Sequence, residues 1–223
     1  MYRLLLFCAG IVLLLPLSAL AVPVITCHCF TDRSFDASSP ALADPYFLAT
    51  AQNSFFAALF KVDRKTIVLK KQSGTSADDL WVAYWIASKS GMNPELLLEA
   101  LGKKGSWKEA VVSLGFSAKP LGERLTAEIA SGASAVRLSG GIVDGVLLRH
   151  RMLNERELVM LRKEWASNQE VIITSLVAAK LRRPAIGIYR DVKKGSKSWG
   201  AFLEEAKTES AVMQSEFAVL LGK

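Results

Sequence analysis

The sequence predicts an all-α protein made of two similar multi-helix units and a C-terminal capping helix. Apolar residues recur at helical spacing along most of the chain, and no stretch alternates convincingly with the two-residue period of a strand. A Lys-Lys-Gly turn that leads through serine into tryptophan also occurs twice. Trp107 and Trp199 follow these turns 92 positions apart, and Lys103 and Lys193 open them 90 apart. We interpret this pattern as an internal duplication.

Residues 1–21 have the composition of a signal peptide. Arg3 precedes an apolar run, and Ala19-Leu20-Ala21 is a small-x-small cleavage pattern. We expect removal after Ala21 and a periplasmic or secreted mature protein. An uncleaved membrane anchor is the alternative, because a short apolar run can still hold if it is tilted. No later apolar run reaches membrane-spanning length.

Residues 22–43 form a predicted irregular segment that contains Cys27, His28 and Cys29. Export argues against two permanently free thiols, and a disulfide across one residue closes a small, strained ring. The open alternatives are a redox-active pair, an intermolecular disulfide, and a metal or cofactor site. These three residues are the candidate metal ligands, although a tetrahedral zinc or copper site needs a fourth. The identity of any cofactor stays unknown.

Residues 44–116 form the first predicted unit. Asp44-Pro45 can begin a helix that ends near Phe60, with aspartate as the cap and proline in the first turn. Residues 80–87 form an apolar central helix that we expect to be buried within its own unit. Side chains that can cap a helix precede the four later helices: Asp63, Ser76, Asn93 and Ser106.

Residues 117–139 are the predicted linker, with one helix near residues 121–130. Gly140-Gly141 is expected to break the chain before the second unit, residues 140–207. Residues 171–181 are its central helix, and Asn154 caps the helix before it. The C-terminal helix in residues 208–223 has no expected counterpart. Tryptophans are expected in the core: Trp81, Trp85, Trp107, Trp165 and Trp199.

The formal charge of +7 is unevenly distributed. Residues 149–197 contain twelve Lys and Arg against five Asp and Glu. Such a segment attracts anionic lipids, acidic polymers or nucleic acid, and solvated helix faces are the alternative. The candidate anion-binding residues are Arg149, Arg151, Arg182, Arg183, Lys193 and Lys194.

Catalytic and nucleic-acid-binding patterns are weak in this chain. It has two histidines, His28 and His150, and no Gly-x-Ser-x-Gly, His-Glu-x-x-His or phosphate-binding glycine loop. His150 is expected to be solvated. The last helices of each unit have a helix-turn-helix outline, but their second helix lacks a row of base-reading side chains. We therefore expect no catalytic residue and no nucleic acid partner.

These observations favour a non-enzymatic binding or scaffold protein of the bacterial cell envelope, with anionic envelope components or a protein as partner. The alternative is a periplasmic metal-binding or thiol-redox protein that uses Cys27, His28 and Cys29. In its Lys-Lys-Gly turns and its Cys-His-Cys-Phe segment, the chain resembles uncharacterised exported helical-repeat proteins of Gram-negative bacteria. The resemblance implies export and a helical fold, without an established activity.

Overall fold

The structure is a computed structural model that describes residues 30, 32–116 and 119–223. The described residues form twelve α-helices and a short 3-10 turn at Lys119–Leu121, with no strand among them, so the all-α class is confirmed. The predictions for the signal peptide and for Cys27, His28 and Cys29 lie outside the described residues. None of the described helices is both long and apolar enough to cross a membrane.

The helices follow one another along the chain with short connections. Their bounds are α1 Asp44–Phe60, α2 Arg64–Gln72, α3 Ala77–Ser90, α4 Pro94–Lys104, α5 Trp107–Ser113, α6 Glu123–Ala130, α7 Ala135–Arg149, α8 Glu155–Lys163, α9 Asn168–Leu181, α10 Ala185–Lys193, α11 Trp199–Glu205 and α12 Met213–Leu220.

The helix order repeats after α6. Helices α1 to α6 have 17, 9, 14, 11, 7 and 8 residues, and α7 to α12 have 15, 9, 14, 9, 7 and 8. The C-terminal helix α12 therefore matches α6 in order and length, whereas no counterpart was expected. The repeated order agrees with a duplication, which stays a prediction.

The expected break at Gly140-Gly141 is wrong, because α7 begins at Ala135 and continues through both glycines. A Cβ atom at Gly141 would lie 3.4 Å from the side chains of Arg124 and Glu128 on α6. The missing side chain therefore allows α6 and α7 to pack closely. Both α6 and the first turn of α7 occupy the predicted linker, so the linker is part of the helical fold.

Most of the predicted caps are confirmed. Asp63, Ser76 and Asn93 each accept a hydrogen bond from a backbone N–H of the helix that follows, and Asn154 forms a capping box. Asp44 is different, because it lies inside α1 and makes no cap there. Its carboxylate accepts a bond from the Gly200 N–H at 3.0 Å, at the start of α11. Burial raises the pKa of Asp44.

Each central helix packs against helices of both halves of the chain. Helix α3 contacts α4 in its own half and α7 in the other, and α9 contacts α10 in its own half and α1 in the other, so the prediction that each is buried within its own unit is wrong. Both helices are apolar on nearly every face, as Leu80 and Ile86 on α3 and Ile172 and Leu176 on α9 are fully buried. A helix of that kind needs partners on several sides. The resulting core is continuous between the halves.

Four of the five tryptophans occupy the core as predicted. Trp81 and Trp85 are buried on α3, and Trp107 and Trp199 are buried at the starts of α5 and α11. The Trp107 Nε1–H also donates to Asp79 at 2.9 Å, which ties α5 to the start of α3. The prediction for Trp165 is wrong, because this side chain is 90% exposed in the turn between α8 and α9.

A similar polar contact lies inside each half. Lys71 on α2 is buried and donates to Asn53 on α1 at 2.6 Å. Arg162 on α8 pairs with Asp144 on α7 at 2.6 Å. The first contact lacks a carboxylate, and burial lowers the pKa of Lys71 to about 8, although Asp78 opposes the shift. The second contact pairs a cation with a carboxylate, so both partners are charged and it is the stronger type.

Candidate functional site

Three of the six predicted anion-binding residues line one cleft. Arg151 follows α7, and Arg182 and Arg183 follow α9, so the ends of two helices bring them together. His150 and Glu157 also line this cleft, whose volume is about 430 Å³. We call these five residues and their shared concavity the basic cleft. Arg183 also pairs with Asp191 and Glu205, so the excess of positive charge comes from Arg151 and Arg182 against the Glu157 carboxylate.

Arg151 and Arg182 adopt a left-handed backbone conformation, with φ angles of 55° and 52°. For a residue other than glycine this conformation costs about 1–2 kcal/mol. At the end of α3 the residue in the left-handed conformation is Gly91, for which this conformation costs less than it does for arginine. Arg182 ends α9 with the corresponding bond, its N–H donating to Ala178 as that of Gly91 donates to Ala87.

The guanidinium groups of Arg151 and Arg182 are available to a ligand. Both residues are exposed, and neither side chain enters an ion pair or a side-chain hydrogen bond within the described part of the chain. Strained backbone positions of this kind concentrate at binding sites, where the function of the side chain compensates for the energetic cost of the conformation. The two strained arginines on one cleft therefore point to ligand binding.

Arg183 is held in place by its neighbours. Its guanidinium lies 3.2 Å from Asp191 and 3.9 Å from Glu205, and it stacks 5.5 Å from the centre of the Phe202 ring. These contacts position the side chain at the mouth of the cleft and reduce its conformational freedom. A ligand that binds Arg183 loses less side-chain entropy than one that binds a free arginine.

His150 contributes a titratable group to the cleft. Burial lowers the pKa of its imidazole, and the nearby cations of Lys223 and Arg149 lower it further, against a hydrogen bond to the backbone of Leu221 that raises it. The neutral form is therefore favoured in the free protein. An anion in the cleft would oppose these effects and favour the imidazolium.

Glu157 is the one carboxylate of the basic cleft, and its oxygens are already engaged. Oε1 accepts from the Ala185 N–H at 3.2 Å, and Oε2 accepts from the Asn154 side chain at 2.8 Å. Both bonds fix the starts of α10 and α8, since Asn154 and Pro184 are the residues that precede these helices. Glu157 thus has a structural role beside the arginines.

The other three predicted residues lie elsewhere. The Arg149 guanidinium lies 5.7 Å from the centre of the Trp85 ring, in a separate cavity of about 240 Å³. Lys193 pairs with Glu170 at 2.7 Å. Lys194 is exposed and close enough to Glu164 to lower the pKa of that carboxyl. The predicted basic set is therefore divided between the basic cleft and two other surfaces.

The metal prediction lies outside the described residues, since Cys27, His28 and Cys29 are not among them. Within the described ranges, no group of three or more His, Cys, Asp or Glu side chains could hold a metal ion. The arginine, histidine and glutamate side chains of the basic cleft can form ion pairs and hydrogen bonds with a ligand.

Sequence reasoning missed His150 as part of the site, since it was expected to be solvated, and it missed the backbone conformation of Arg182. A signal for the second was present. Gly91 and Arg182 are 91 positions apart, which is the repeat spacing. The second copy therefore has arginine at a helix end where the first has the preferred glycine, which indicates a role for the arginine side chain.

No family model, no curated protein and no solved structure matches the chain. Its function is therefore inferred from the chemistry of its own residues.

Proposed function

We propose that the protein is an exported, non-enzymatic binding or scaffold protein of the bacterial cell envelope, and that its basic cleft holds phosphate or carboxylate groups of an anionic partner. The observation that carries this proposal is the pair of left-handed arginines, Arg151 and Arg182, which line one cleft and whose guanidinium groups enter no ion pair among the described residues. Export is supported by the signal-like composition of residues 1–21.

The chemistry of the basic cleft suits an oxyanion. A guanidinium presents a planar fork of N–H donors that matches two oxygens of a phosphate or carboxylate. Two such forks with Arg183 beside them can surround one anionic group, and His150 can add an N–H donor once it is protonated. Because the cleft is open to solvent, the attraction should weaken as salt increases.

Isothermal titration calorimetry with inorganic tripolyphosphate tests the cleft. The Arg151→Gln, Arg182→Gln double variant should bind at least about tenfold more weakly, since each charge-assisted hydrogen bond contributes about 1.5–3 kcal/mol and tenfold corresponds to about 1.4 kcal/mol. A matched control removes two charges elsewhere, at Lys104 and Lys108, both exposed in the first half of the chain. The Lys104→Gln, Lys108→Gln variant should bind within about twofold of wild type at 0.15 M salt, because charges beyond about 8 Å are screened there.

Equal weakening in the two double variants would show that net charge, rather than the cleft, attracts the anion. A parallel titration with oligogalacturonate separates phosphate from carboxylate recognition. Export has its own test: the N-terminal sequence of protein from a periplasmic fraction should begin at Val22, and membrane-bound protein that retains Met1 would contradict it.

A further inference from the structure

Trp165 is exposed in a conformation that a tryptophan rarely adopts. Its side chain is 90% accessible, and its φ angle of 64° lies in the left-handed region. Bulky residues are outliers there. The other tryptophans are at most 8% exposed, so Trp165 differs from them in both respects.

The turn between α2 and α3 has the same hydrogen-bond pattern, with Gly74 at a φ angle of 97° in the position that Trp165 occupies. There the Gly74 N–H donates to Lys71 and the Thr75 N–H to Lys70, both at 3.1 Å. In the turn between α8 and α9, the Trp165 N–H donates to Arg162 and the Ala166 N–H to Leu161, also at 3.1 Å. Glycine adopts this turn at a lower free energy than tryptophan does, so Trp165 reduces the stability of the folded protein.

The turn that carries Trp165 is fixed on both sides. The carbonyl of Glu164 accepts from the Tyr189 hydroxyl at 3.0 Å, and the carbonyl of Ala166 accepts from Arg162 at 2.7 Å. Tyr189 is fully buried, so the first bond anchors the turn to the core. The indole is therefore presented to solvent from a fixed backbone, which reduces the entropy lost on binding.

Basic side chains surround this turn. Lys163 is exposed two positions before Trp165, Arg190 pairs with Glu164 at 2.5 Å, and Lys194 lies near the same carboxylate. Three cations and one carboxylate thus lie on or beside the turn that carries the indole. We call Trp165, Lys163, Glu164, Arg190 and Lys194 the Trp165 corner.

We propose that the Trp165 corner is a membrane-contact surface that binds the headgroup region of an anionic lipid bilayer. Tryptophan is enriched at the level of the headgroups, where its ring is partly apolar and its N–H stays hydrated. Lysine and arginine near the surface attract anionic lipids. Lysine is depleted at protein–protein interfaces, so the two lysines of this corner favour lipid over protein. One aromatic ring with three cations gives weak, reversible attachment.

Co-sedimentation with vesicles tests the proposal. Wild-type protein should bind vesicles of equal parts phosphatidylglycerol and phosphatidylcholine, and should bind pure phosphatidylcholine at least about tenfold more weakly. Trp165→Gly should bind the anionic vesicles about tenfold more weakly while keeping the fold, because glycine already occupies the same turn at Gly74. Lys163→Gln with Lys194→Gln should weaken binding about thirtyfold, at about fivefold per lysine.

Fluorescence separates this corner from the basic cleft, which could also bind phosphate headgroups. Lipids with brominated acyl chains should quench the accessible emission, which comes from Trp165, and the Arg151→Gln, Arg182→Gln variant should be quenched equally when vesicle-bound. Unquenched emission from bound protein, unaltered binding by Trp165→Gly, or no binding to anionic vesicles would each overturn the proposal. Self-association that Trp165→Gly abolishes, measured by sedimentation velocity without lipid, would instead assign the corner to a second copy of the chain.

Discussion

Replacing Arg182 with glycine should stabilise the protein and, at the same time, weaken anion binding. Arg182 ends α9 in the left-handed conformation, at a φ angle of 52°, and its side chain enters no ion pair within the described residues. Glycine at this position removes the backbone strain and sacrifices no side-chain hydrogen bond or ion pair among the described residues. The same change removes one guanidinium from the basic cleft.

The magnitude follows from two opposing terms. Relief of the left-handed conformation contributes about 1–2 kcal/mol. The additional freedom of glycine in the unfolded chain costs about 0.4–1 kcal/mol. The net gain is about 0.5–1 kcal/mol, which raises Tm by about 1–4 °C for a protein of this length. The reverse exchange, Gly91→Arg, is the matched control and should destabilise by a similar amount.

Two assays on the same samples test this trade-off. Urea unfolding measures stability, and calorimetric titration with inorganic tripolyphosphate measures binding, which should weaken about tenfold with the loss of one charge-assisted contact. A variant that binds as tightly as wild type would show that Arg182 does not contact the anion. A variant destabilised by more than about 1 kcal/mol would show that the arginine is retained for folding.

Three other perturbations probe the structure. The pKa of His150 lies below 6.5 in the folded protein, so the free energy of unfolding should fall as the pH drops through 6.5 toward the folded pKa. The affinity for tripolyphosphate should rise over the same range, because His150 becomes protonated. The His150→Gln variant should lose both trends. Trp199→Ala should cost about 3–5 kcal/mol in one urea transition, since the core is shared, and two transitions would contradict that. Lys71 has a pKa of about 8 against an ordinary 10.5, so stability should rise between pH 8 and 10.5. Asn53→Asp should supply the missing carboxylate and flatten that rise, and an unchanged pH profile would refute the pairing.

Local structure was largely predictable because its causes are local. Asp63, Ser76 and Asn93 cap helices through backbone N–H groups two or three positions away, so neighbouring sequence determines the bond. Asp44 shows the limit of this reasoning. Its partner, the Gly200 N–H, is distant in sequence, and a capping side chain does not reveal which helix it caps.

The packing of the two halves was harder to predict. Residues 80–87 and 171–181 are apolar on nearly every face, which predicts burial but does not select a partner. The pairing of α3 with α7 and of α9 with α1 depends on the shapes of surfaces far apart in the chain. Gly140 and Gly141 were misassigned for the same reason, because Gly141 faces the side chains of Arg124 and Glu128 on α6 and Gly140 faces Asn168 on α9.

The candidate site was predictable only as a charged segment. The excess of Lys and Arg in residues 149–197 indicated the segment from which Arg151, Arg182 and Arg183 line the basic cleft. Charge counting could not separate these residues from Lys193, whose ammonium group is paired with Glu170. Composition records how many charges are present, whereas pairing depends on which helices meet.

The most direct test of the basic cleft is a solution NMR titration that follows the Nε–H signals of the arginine side chains as inorganic tripolyphosphate is added at 0.15 M salt. The signals of Arg151, Arg182 and Arg183 should shift together and saturate with one common Kd, while those of Arg124 and Arg137, which both pair with Glu128 and do not line the cleft, should stay unchanged. Small, unsaturated shifts spread equally over all of these arginines would contradict a defined anion site in the cleft.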